Sequence, residues 1–141
     1  MNTYYIFNIK EEFKDLYWDK NSSLYSILSS IKRLKYNEKN YAYTFLKQLT
    51  RKIEKNILDN YLYIKMHRFA FYSKKNGIHY YSDGALNEIS NMEIKDCYIR
   101  LVTNKDISIF LRILSNYSSN FFICDFKHTR FSFIDNIKEL V

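Results

Sequence analysis

Apolar and polar positions along this chain switch between a strand period and a helix period, and each switch marks an element. Tyr4 to Ile9 is a near-continuous, β-favouring apolar run and predicts the first strand. It breaks into Lys10-Glu11-Glu12, where carboxylates in a first helical turn suit the helix dipole. Phe13, Leu16 and Tyr17 then recur at helical spacing, and the pattern loosens over residues 19–23. Leu24, Ile27, Leu28, Ile31 and Leu34 form a clear i, i+3, i+4, i+7 stripe. The pattern leaves open whether one kinked helix or two span this region. Asn37 is a candidate N-cap for a further helix carrying Tyr41, Phe45, Leu49 and Ile53. Residues 56–66 read as helix by continuity and as strand by the propensity of Tyr61-Leu62-Tyr63-Ile64.

The second half is more sharply punctuated. Phe69–Tyr72 and Ile78–Tyr81 flank Lys74-Lys75-Asn76-Gly77, and Asn-Gly between such runs predicts a hairpin. Gly84 is read as a second turn residue. A strand over Tyr98–Thr103 precedes a helix over Asp106–Tyr117 on Ile107, Phe110, Leu111 and Leu114. Asn120–Phe126 is dense enough in apolar residues to be a central strand, and Arg130–Ile134 alternates as another. The order predicts a single α/β (α+β) domain over residues 1–141, a sandwich of a mostly antiparallel mixed sheet flanked by helices.

Composition narrows the function classes. A 47% hydrophobic and 18% aromatic content excludes a disordered chain. Charges interrupt every apolar run before a membrane span, and Lys10-Glu11-Glu12 falls where a signal peptide would continue, so a cytoplasmic protein is expected. Cys97 and Cys124 make no disulfide framework and are expected as buried free thiols in strands. The net charge of +7 raises a basic, tyrosine-rich nucleic-acid-binding module as the alternative function. The basic residues are interspersed with acids, however. Lys32-Arg33 and Arg51-Lys52 read as solvated helix faces, and no strand combines Lys or Arg, Gly and aromatics as an RNA-binding sheet would.

Enzymatic sites find little support. His67, His79 and His128 lack the spacing of a metal-ligand set and read as surface or turn residues. Cys124 lies in an apolar run, which raises a thiol pKa and argues against a nucleophile paired with His128 or His67. Two distant glycines leave no phosphate-cradling loop, and Leu101-Val102-Thr103-Asn104-Lys105 before the Asp106 helix contains none, so no cofactor is expected. Asp125 reads as a solubilising strand-end carboxylate. Phe13 and Tyr17 admit two readings, a core helix face or a protein-binding hot spot, with Leu16 able to anchor the helix between them.

Tyr4-Tyr5, then Ile9-Lys10-Glu11-Glu12-Phe13 and Tyr17, resembles the opening of the sporulation inhibitor of replication family, SirA. Phe121-Phe122-Ile123-Cys124-Asp125-Phe126 followed by Arg130-Phe131 resembles the late strand pair of that family, and the helix at Asp106-Ile107 matches by position. The resemblance implies a small cytosolic protein without enzymatic activity that binds domain I of the replication initiator DnaA. It implies a fold like that of N-acetyltransferases without the cofactor loop. It also implies a contact surface on the first helix at Phe13 and Tyr17, with Gln48 from the neighbouring helix. No direct nucleic-acid contact, membrane or metal is expected on this reading, and the protein is expected as a monomer.

Overall fold

The computed structural model describes residues 1–33 and 39–140. The expectations for Leu34 and for Asn37 as an N-cap lie outside them. Among the described residues seven strands form one sheet: β1 (Asn2–Asn8), β2 (Tyr72–Lys75), β3 (Ile78–Asp83), β4 (Glu88–Ile94), β5 (Ile99–Thr103), β6 (Phe121–Asp125) and β7 (Arg130–Phe133). Their order is β2-β3-β4-β5-β1-β6-β7. Every pairing among the described strands is antiparallel, where a mixed sheet was expected. The fold is α+β. Among the described residues five α-helices accompany the sheet: α1 (Glu11–Tyr17), α2 (Asn21–Arg33), α3 (Lys39–Leu49), α4 (Lys55–Met66) and α5 (Ile109–Tyr117). A 3₁₀ segment, Ile134–Leu140, kinks at Asn136.

The chain's first strand is internal, and each of its faces meets a different layer. Tyr4 and Ile6 join Leu58, Leu62 and Met66 of α4 and Phe110, Leu111 and Leu114 of α5 in one core. Phe7 and Ile9 join Leu24 and Leu28 of α2 and Leu46 and Leu49 of α3 in the other. β6 is likewise covered on both sides, with Phe121 and Ile123 in the first core and Phe122 and Cys124 in the second. A doubly covered strand has no reason to alternate, which explains its unbroken apolar run. It is next to the edge strand rather than central. The strands β3, β4 and β5 bury alternate residues.

Several local expectations change. The helical region after β1 is two helices, broken at residues 18–20. α3 buries Ala42, Leu46 and Leu49, while Tyr41 and Phe45 face outward. The heavier rings suggested the wrong stripe because the buried face uses a small alanine. Ile53 is buried beyond the helix, its N–H bonded to the Asp96 carbonyl at 2.9 Å. Residues 56–66 are helical, since Leu58, Leu62 and Met66 at i, i+4, i+8 point into the core and override strand propensity. β4 carried no sequence expectation because two of its inward positions are polar, Glu88 and Ser90. The β2–β3 hairpin turns through Asn76 and Gly77 at φ 53° and 77°, the paired positive values of a type I′ turn. Residues 69–71 form turns ahead of β2. Cys97 is half-buried in the bend between β4 and β5, not in a strand.

Candidate partner-binding surface

The C-terminal end of α3 and the start of α1 are stitched to the end of β1. Ile9 bridges Thr50, the Lys10 N–H donates to the Leu49 carbonyl at 3.0 Å, and the Arg51 N–H donates to the Asn8 carbonyl at 2.8 Å. Gln48, exposed on the last turn of α3, therefore adjoins the first turn of α1. At seven residues α1 is about 10 Å long. Phe13 and Tyr17 lie one turn apart along this short strip of surface.

α1 contains no buried residue. Phe13 and Tyr17 are half-buried, resting one side on the second core. Leu16 is the outward residue, 51% exposed, so the expected anchor is solvent-facing and the two aromatics do the anchoring. The reason is rotational: residues 13 and 17 lie on one helical stripe, and the core captured that stripe. Trp18 caps the helix at 43% exposure and packs against Phe133 at 5.6 Å between centroids. Lys14 holds the arrangement with a 3.2 Å ion pair to Asp135 and its ammonium 5.4 Å from the Trp18 ring. Glu11 accepts a 2.9 Å hydrogen bond from the Asn120 side chain. The strip is apolar, aromatic and propped from beneath. Sequence reasoning missed Trp18, although it directly follows Tyr17 and tryptophan is the residue most enriched at binding hot spots.

The residues with reactive chemistry are engaged elsewhere. Burial pushes the Cys124 thiol well up, unlike an activated nucleophile. His79 is fully buried, not a surface residue: it lies 2.6 Å from Asp59 and 2.8 Å from the Tyr72 hydroxyl. Asp125 is also fully buried rather than a solubilising end. It receives Arg130 at 2.9 Å and His128 at 2.8 Å, and it ties the β6–β7 turn. Burial raises the Asp125 carboxyl, and hydrogen bonds from Arg130 and His128 more than offset it, leaving it below the ordinary range. The free N–H groups at the start of α5 are taken internally. Ser108 Oγ accepts from the Phe110 N–H, and Glu88 accepts from the Ile109 N–H at 3.1 Å and from Ser108 and Ser90 hydroxyls. No group of three or more His, Cys, Asp or Glu among the described residues could hold a metal ion. No described helix is long and apolar enough to cross a membrane.

The family model described as sporulation inhibitor of replication protein SirA matches residues 2–138, from β1 into the 3₁₀ segment. The chain belongs to the SirA family. No curated protein matches it significantly. The matched range includes the residues of both cores and of α1 to α3. By its description the family is an inhibitor of replication tied to sporulation.

Proposed function

We propose that this protein restrains the initiation of DNA replication by binding domain I of DnaA through the α1 strip, with Phe13 and Tyr17 as aromatic anchors and Gln48 at its rim. Occupancy of that domain would keep the initiator from assembling or engaging loading factors. Family membership supports the inhibitory role. The observation that carries the site is a helix without one buried residue that nonetheless presents Phe13, Leu16, Tyr17 and Trp18 at the surface. A short helix of this kind is held in place by its two aromatics while their outer edges and Leu16 stay available to a partner.

A non-enzymatic role is supported by Glu88, whose carboxylate occupies the helix N-terminus that an anionic cofactor group would need. The acetyltransferase-like frame implied by the family resemblance fits the same reading, as a scaffold used for recognition. A cytoplasmic location follows from the proposed partner.

Calorimetric titration against DnaA domain I of the same organism tests the proposal, with a Phe13→Ala/Tyr17→Ala variant checked for folding. Micromolar or tighter binding that the folded double variant loses supports both function and site. Absence of binding by the folded wild-type protein refutes it. Binding dominated by an aromatic hot spot varies little with salt, whereas phosphate contacts fall steeply.

A further inference from the structure

Two cavities lined by α2 share Lys32 and Phe126. The first, about 260 Å³, is walled by Tyr5, Phe7, Tyr98 and Phe126. Tyr5 lies 5.7 Å from Tyr98 and 5.6 Å from Phe126 between centroids, so three half-buried rings form a cage. The second, about 520 Å³, is lined by Lys32, Arg33 and the hydroxyl residues Ser26, Ser29 and Thr129. Among the described residues no carboxylate lines either cavity. Lys32 and Arg33 are exposed, as the solvated-face reading expects. The Lys32 ammonium lies 3.8 Å from the Tyr5 ring centroid and 4.8 Å from that of Phe126, inside the cage mouth.

That placement selects the charge of a ligand. The cage already holds a cation, so a second cation is repelled while an anion gains a partner. Burial raises the Tyr5 hydroxyl pKa, but Arg100 and Lys32 more than offset it, which reports the same positive potential. A peptide carboxylate would use the basic cavity and leave the rings idle. A planar base joined to a phosphate uses both.

We propose that the cleft along α2 binds single-stranded nucleic acid, with a base in the Tyr5–Tyr98–Phe126 cavity and the adjoining phosphate against Lys32 and Arg33. This site is separate from the α1 strip and does not depend on it. Stacking on aromatic side chains flanked by cations is the general mode of sequence-tolerant single-strand recognition.

The test is fluorescence anisotropy of a labelled 20-nucleotide oligo-dT against the full chain at several salt concentrations. Lys32→Ala/Arg33→Ala is expected to lose at least tenfold in affinity and to lower the salt slope by about 0.7, from the one phosphate the pair neutralises. Tyr98→Leu is expected to lose about tenfold. Lys74→Ala/Lys75→Ala, removing equal charge from the distant β2–β3 hairpin, is expected to change affinity less than twofold. All variants are melted in parallel to establish folding. Equal losses in the two double-charge variants would overturn the site. So would absence of binding at low salt, displacement by polyglutamate as effective as by unlabelled oligo-dT, or a mononucleotide binding as tightly as the strand.

Discussion

The buried histidine of β3 allows the most quantitative test of the fold. Asp59 on α4 is a carboxylate and can only accept, so His79 Nε2 carries the proton across the 2.6 Å contact. Nδ1 is then the acceptor for the Tyr72 hydroxyl at 2.8 Å, and the imidazole is neutral. One ring thereby clamps α4 to the β2–β3 hairpin, stacked on Tyr72 and edge-on to Phe110. Replacing Asp59 by Ala removes a charge-assisted bond worth about 1.5–3 kcal/mol and orphans a buried N–H. These overlap, so the expected loss is about 3 kcal/mol, or roughly 10 °C in Tm for a domain of this size. Urea denaturation of Asp59→Ala, His79→Leu and the double variant measures the coupling, expected at about 2 kcal/mol. Additive losses would refute the clamp.

The same clamp sets a pH dependence. Burial depresses the His79 pKa, and attraction to Asp59 does not overcome it; Lys74 and Lys55 add to the depression. A histidine held neutral in the fold binds fewer protons than in the unfolded chain. Its stabilisation is therefore complete above about pH 6.5, declines as pH falls below that value, and levels off below the folded pKa. The decline is at most about 1.4 kcal/mol per pH unit, and His79→Leu is expected to flatten it.

Phe13→Ala is expected to weaken domain I binding about 30-fold in calorimetry while also costing about 2 kcal/mol in stability, because the ring is half-buried. Leu16→Ala separates the two effects: exposed, it should shift stability by less than about 0.5 kcal/mol yet still reduce affinity. Asp125→Asn should cost about 2 kcal/mol near neutral pH, as Arg130 and His128 lose their carboxylate. Asp125's depressed pKa means this contribution is full above the ordinary carboxylate range and is lost as pH falls through the folded value, so acid titration of the variant should show a shallower unfolding limb. Gly77→Ala, at φ 77°, should cost about 1 kcal/mol in urea denaturation without altering binding at α1.

Local chemistry by itself determined much of this protein. Asn76-Gly77 specified a type I′ hairpin because few other pairs tolerate two positive φ values. The stripe containing Leu24 and Leu28 specified α2, and the run from Phe121 to Cys124 specified a strand covered on both faces. The motif from Tyr4 to Tyr17 pointed to SirA, and the family match bears that out. Tertiary structure decided the rest. β4 was hidden because Glu88 and Ser90 point inward, and those polar side chains are tolerated only because Ser108, Thr103 and the α5 N-terminus satisfy them. His79 and Asp125 looked like surface residues because burial of such groups requires partners distant along the chain or folded back upon it. Which side of α1 faces solvent was undecidable from spacing, since an amphipathic stripe says that one face is apolar but not what covers it. The core took part of Phe13 and Tyr17 and left Leu16 and Trp18 outside, because where a helix docks depends on the surface the rest of the chain builds for it.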